Sequence, residues 1–105
     1  MYALDITDAA EQDLERITDY LGVALANPQA ALALLDEIEK INAELVSNPS
    51  IYPLCAAANL ADLGYHKAIA KSYIVVFEID ADANAVRILR VFHSSEDDAN
   101  RRLRQ

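Results

Sequence analysis

Cations are scarce in this 105-residue chain: nine Lys and Arg stand against seventeen Asp and Glu, for a net charge of -8 at pH 7. Non-specific affinity for nucleic acid comes from cations meeting phosphates, and attraction to an anionic membrane surface also needs them. The composition therefore excludes a generic nucleic-acid binder, and neither direct DNA binding nor a membrane partner is expected. Cysteine is nearly absent. Cys55 stands alone, so no intrachain disulfide can form and no cysteine-based metal site can be assembled; the residue reads as a small buried apolar one. No apolar run approaches the roughly 18 residues of a membrane span. The opening Met1-Tyr2-Ala3-Leu4-Asp5 has no basic stretch before an apolar one, which gives a cytoplasmic location as the expectation. Repeats and low-complexity segments are missing, and nothing in the chain asks for a cofactor or a metal.

What is present is an ordinary foldable composition, 53% hydrophobic and 25% charged, at a length that suits one domain over residues 1–105. The charge is uneven. Residues 1–50 carry ten acids against Arg16 and Lys40, whereas residues 51–105 carry seven acids and seven bases. A basic site has room only in the second half.

Leu4 and Ile6 alternate with Ala3 and Asp5, a short strand pattern that ends at Thr7. Thr7 or Asp8 caps the helix that follows, and Asp8 with Glu11 has capping-box spacing. Ala10, Leu14, Ile17, Leu21 and Ala24 form its apolar stripe, with Glu11, Asp13, Glu15, Arg16 and Asp19 largely outside it. Asn27-Pro28 breaks the chain and starts a second helix, Asn as cap and Pro in the first turn. Its stripe is Ala31, Leu34, Leu35, Ile38, Ile41 or Asn42, and Leu45, and Ser47-Asn48-Pro49 ends it. The short connection predicts an antiparallel helix hairpin.

Residues 49–64 read as a loop with one helical turn at 56–60. After Gly64 the period changes to two: Tyr65–Ala70 is a strand, Lys71-Ser72 a tight turn, Tyr73–Asp80 a central strand and Val86–His93 a last one. Ser94 or Ser95 can cap a short C-terminal helix, with acids at its start and Arg101, Arg102 and Arg104 at its end. The expected fold is α+β: an N-terminal strand, then a two-helix hairpin packed on a mainly antiparallel four-stranded sheet, then a short C-terminal helix.

This element order, with Thr7-Asp8-Ala9-Ala10-Glu11-Gln12-Asp13-Leu14, Ala30-Ala31-Leu32 to Leu35-Asp36-Glu37-Ile38, Gly64-Tyr65-His66-Lys67, Tyr73-Ile74-Val75-Val76-Phe77-Glu78-Ile79-Asp80 and Val86-Arg87-Ile88-Leu89-Arg90-Val91-Phe92-His93, resembles the RelE/ParE superfamily of toxins from bacterial type II toxin–antitoxin modules. The resemblance covers nearly the whole chain. It implies a small growth-arresting toxin, of the plasmid-stabilisation type, held inactive by a cognate antitoxin. RelE-like members cleave mRNA on the ribosome without a metal; ParE-like members poison DNA gyrase.

Cleaving RNA through its 2′-hydroxyl takes a base, an acid and cations that hold the crowded phosphate. The candidates are His66 and Lys67, which match a basic pair often seen on the second strand, and Arg87, Arg90 and His93 on the last. His93 matches a family position that acts in acid/base catalysis; its alternative is a strand-capping role. The central strand departs from the family pattern, with Ile74 where Arg is common and Glu78 at a second frequently basic position. Arg87 and Arg90, three positions apart, fall on opposite faces of a regular strand, one of them pairing with Glu78 or Asp80. The central strand is apolar on both faces, so both must be covered. Ile74 and Val76, with Arg101 and Arg102, are the candidate partner-binding residues. The readings are a ParE-like toxin with a protein target such as gyrase, a ribosome-dependent mRNA endoribonuclease, and a degenerate member that keeps only antitoxin binding.

Overall fold

The computed structural model describes residues 1–55 and 62–95. Strand β1 (Ala3–Ile6) leads into helix α1 (Asp8–Asp19), and α2 (Pro28–Ser47) follows. Strands β2 (Tyr65–Ala70), β3 (Tyr73–Asp80) and β4 (Ala85–His93) complete a four-stranded sheet in the order β1-β4-β3-β2. The meander β2-β3-β4 is antiparallel, and β1 lies parallel to β4 with Leu4 opposite Val86 and Ile6 opposite Ile88. The sheet is mixed but mainly antiparallel, as expected. The expected turn at 56–60 and the expected C-terminal helix lie outside the described residues.

Both helix starts follow from their caps. Thr7 is extended and its hydroxyl accepts from the Ala10 amide at 3.2 Å; Asn27 accepts from Ala30 at 3.1 Å with Pro28 in the first turn. The first helix is shorter than its stripe predicts. It gives way at Tyr20–Ala24 to a π-helical turn, closed by the Leu25 amide on the Tyr20 carbonyl at 2.9 Å. Gly22 within this turn is a poor helix former, and the wider turn ends the helix before the chain reverses.

Leu34, Ile38, Ile41 and Leu45 of α2 and Ala10 and Ile17 of α1 pack on Val75, Phe77, Val86, Ile88 and Val91 of the sheet. Each fully buried side chain of this size contributes about 1.5–3 kcal/mol. One correction to the helical pattern concerns Asp13, which is only 1% exposed and sits among the buried positions. Its spacing from Ala10 and Ile17 puts it on the inward face, and charge alone had placed it outside.

The other sheet face carries a second, smaller cluster of Cys55, Val76 and Phe92, flanked by Tyr65, Ile74 and Leu89. The chain supplies part of this cover itself. Pro53 to Cys55 run along the outer edge of β2, with the Lys67 amide on the Pro53 carbonyl at 3.0 Å and the Cys55 amide on the Tyr65 carbonyl at 2.8 Å. Cys55 is buried, as its lone occurrence suggested.

Candidate functional site

The sheet register decides which candidate side chains can meet. Arg87 lies opposite Glu78, Arg90 opposite Val76 and His93 opposite Tyr73, while on β2 His66 faces Phe77 and Lys67 faces Val76. Cross-strand partners share a face and alternate along each strand. Phe77 and Tyr73 belong to the helix-covered face, so His66 and His93 stand on that side. They lie four residues apart along β3, about 13 Å at the usual strand rise.

Arg87 and Arg90 break the alternation. The register slips between Val76 and Phe77, whose partners are Arg90 and Ile88, leaving Leu89 as the extra residue of a β-bulge. Glu78 and Val76 are two apart on β3, and the two guanidinium groups part: Arg87 goes to Glu78 and Asp5 on the neighbouring strands, Arg90 to Asp13 of α1. Thr7 holds the bulge: its amide donates to the Ile88 carbonyl at 3.1 Å and its hydroxyl to the Leu89 carbonyl at 3.1 Å.

Each arginine is met by carboxylates. Arg87 donates to Glu78 and to Asp5 at 3.2 Å, with Asp80 at 3.8 Å. These bonds, Glu78 first and then Asp5, push its pKa further up. Arg90 reaches Asp13 of α1, donating from Nε at 2.8 Å and from a terminal nitrogen at 3.0 Å. Asp13 also accepts from the Val91 amide at 3.0 Å and from Arg16 at 2.9 Å. Burial pulls the Asp13 pKa up; the bonds from Arg90, Val91 and Arg16 outweigh it and hold the carboxyl below its ordinary value of 3.8. β1 ends at Ile6, so beyond it the outer edge of β4 would be open, and Asp13 pairs there in place of a strand.

The histidines differ. His66 Nδ1 lies 2.8 Å from the Tyr52 carbonyl, which only accepts, so Nδ1 carries the proton; the ring stacks on Phe77 at 5.3 Å. Both observations make His66 part of the packing around Phe77. His93 Nδ1 accepts from the Ser95 amide at 3.0 Å, lies 2.7 Å from its hydroxyl, and therefore leaves the ring proton on Nε2. The His93 ring meets Tyr73 edge-on at 5.1 Å. It borders an open groove of about 460 Å³ walled on the other side by Arg16, Ile17 and Tyr20 of the first helix and its π turn.

Lys67 is half-buried, in the same cross-strand row as Val76 and Arg90, close enough to lower the Cys55 thiol pKa that burial pushes up. Of the proposed partner contacts, Val76 is buried beneath the chain's own second cluster and Ile74 is half-buried at its margin. The apolar face expected at Ile74 and Val76 is thus partly closed by Cys55 and Phe92. Arg101 and Arg102 lie outside the described residues. The arrangement brings Lys67 and Arg90 into one row and leaves His66 and His93 apart on the other face. Sequence reasoning missed Asp13 and the groove wall of Arg16 and Tyr20; the Ala10-Asp13-Ile17 spacing was the available signal for the first.

Among the described residues no group of His, Cys, Asp and Glu is placed to hold a metal ion, and no helix is long and apolar enough to cross a membrane. Residues 4–98 match the family model described as the ParE toxin of the type II toxin–antitoxin system parDE. No curated protein sequence matches significantly. Among solved structures, a chain of the chromosomal ParDE toxin–antitoxin system from P. aeruginosa is similar at a TM-score of 0.68 and 21% identity, over 89% of this chain and 96% of that one. A chain of the RelBE2 toxin–antitoxin complex from Mycobacterium tuberculosis matches at 0.61 and 22%, over 88% and 90%. One from the intact E. coli RelBE complex matches at 0.56 and 16%, over 89% and 96%. These likenesses concern the fold.

Proposed function

The chain belongs to the ParE toxin family of type II toxin–antitoxin systems, and we propose that it arrests growth by binding a protein target such as DNA gyrase rather than by cutting mRNA. The observation that carries this reading is the neutralisation of the sheet arginines. Arg87 meets Glu78, Asp5 and Asp80, and Arg90 meets Asp13. Arg87 with three carboxylates around it, and Arg90 with two of its nitrogens on Asp13, have little left to offer a phosphate, and the transition state of RNA cleavage gains from several pre-aimed cations. The separation of His66 from His93 also deprives a nuclease of a paired acid and base.

A cognate antitoxin is the partner that holds such a toxin inactive. Ile74 at the margin of the second cluster, with exposed Ile69 opposite it on β2, is the surface we assign to that partner. On the helix pair, Leu32 and Leu35 are exposed next to Asp36 and Glu39, so an antitoxin segment crossing there is apolar or basic.

One observation favours the nuclease as second reading: His93, with its proton on Nε2, borders a groove that also holds Arg16. Induced expression of the chain alone, with pulse labelling of DNA and protein synthesis, separates the readings. A fall in DNA synthesis, with inhibition of gyrase by the purified protein, is the expected result. A prompt fall in protein synthesis that disappears with His93→Ala would establish the nuclease. Unchanged growth with folded protein would leave antitoxin binding as the whole function.

A further inference from the structure

The groove between α1 and the ends of β3 and β4 has a chemistry unlike the rest of this acidic chain, and we propose that it docks an acidic–aromatic segment of a protein partner. One carboxylate of that segment sits on Arg16 and His93, and an adjacent aromatic or aliphatic side chain lies against exposed Tyr20 and the margins of Ile17 and Tyr73. The inference rests on the reading of a protein target and names the surface and the chemistry by which it is gripped.

Charge argues for the carboxylate. Among the described residues the groove is lined by one arginine and one histidine and by no acid. Arg16, whose side chain is 59% exposed, spends one nitrogen on Asp13 at 2.9 Å, so the rest of its donor fork is available. His93 offers a second donor, because the Ser95 amide fixes Nδ1 as acceptor and leaves hydrogen on Nε2. Tyr73, edge-on to the imidazole at 5.1 Å, fixes the ring plane. Two donors from different elements facing one apolar floor match a carboxylate next to a hydrophobic side chain. The volume of about 460 Å³ suits a residue or two.

The same charges argue against a nucleic-acid strand. Among the described residues the groove supplies a single full cation, and exposed Glu15 and Asp19 lie on the same helix as Arg16, within one turn of it. A polyanion meets that repulsion at every phosphate, whereas a single carboxylate in an otherwise neutral peptide meets it once, against its charge-assisted bond to Arg16. The exposed ring of Tyr20 on the rim adds an aromatic contact of the kind found at protein-binding hot spots.

The test is an amide NMR titration of the full chain with acetyl-Asp-Phe-amide, its Asn counterpart and uridine monophosphate. We expect saturable shifts at Arg16, Tyr20, His93 and Ser95 with the Asp peptide, and binding about tenfold weaker for the Asn peptide, for loss of one charge-assisted contact. Arg16→Gln should weaken the Asp peptide by a similar factor, since Asp13 keeps Arg90 and Val91. Tyr20→Ser, outside the Asp13 network, gives an independent loss if Arg16→Gln proves unstable. Equal binding of the two peptides, shifts confined to another surface, or no shift up to about 10 mM peptide would overturn the proposal. Tighter binding of uridine monophosphate would overturn it in favour of a nucleotide site. A failed titration beside a fall in DNA synthesis on expression removes this groove assignment and leaves the protein-target reading standing.

Discussion

Asp13→Ala tests the reasoning at its most consequential contact. The carboxylate is 1% exposed and accepts four hydrogen bonds, two from Arg90 and one each from Arg16 and the Val91 amide. Its removal strands the Val91 amide, at about 1–3 kcal/mol for a buried donor left without a partner. It also removes the Asp13 bonds of Arg90, whose side chain is 26% exposed and can recover part of its hydration. That contribution therefore falls short of the roughly 3–5 kcal/mol of a fully buried broken pair. A total near 3 kcal/mol is expected, which for a domain of this size lowers Tm by roughly 14 °C. Urea unfolding followed by circular dichroism measures it, and hydrogen exchange at the Val91 amide should accelerate well beyond that of its neighbours. The pH dependence has a fixed sign. The folded pKa of Asp13 lies below the ordinary 3.8, so its stabilisation is complete above that value and is lost as pH falls through the lower folded pKa. The gap between wild type and variant should be flat at neutral pH and close in acid. A loss under about 1 kcal/mol, or a gap that does not narrow in acid, would refute the account of Asp13 as the counter-ion joining helix to strand edge.

Other outcomes follow from single contacts. Burial, then the hydrogen bond to Glu44 at 3.1 Å, pushes the Tyr52 pKa up to about 12. The folded state thus favours the neutral phenol, and stability should fall as pH rises from about 10 towards 12, a slope that Tyr52→Phe removes in denaturation curves. Lys71 holds φ at 58° in the turn between β2 and β3, where only glycine sits without steric cost. Lys71→Gly should raise stability by about 0.5–1 kcal/mol, and a loss in urea titration would contradict that strain. Burial pushes the Cys55 thiol pKa up, more than Lys67 lowers it, so Ellman's reagent should label native protein far more slowly than unfolded protein. Equal rates would mean that the second cluster is open. Arg87→Ala breaks ion pairs that are partly open to water and should lower the urea midpoint only slightly, leaving growth arrest intact if the target is a protein.

Local chemistry in the sequence determined much of this protein. Asn27-Pro28 and Thr7 set the helix starts, the period-two runs from Tyr65 and Tyr73 set the meander, and the quoted segments carried the family resemblance, because caps, periodicity and turn residues act within a few positions of themselves. Tertiary structure decided what depends on distant partners. Asp13 looks like a surface acid until the edge of β4, left open where β1 ends, supplies Arg90 and the Val91 amide. The cross-strand rows of Arg87 and Arg90 follow from a bulge at Leu89, held by Thr7 from the far end of the chain, which shifts the register. The cations were visible as residues. Whether they were available to a ligand depended on carboxylates as many as 82 positions away in sequence, brought beside them by the fold.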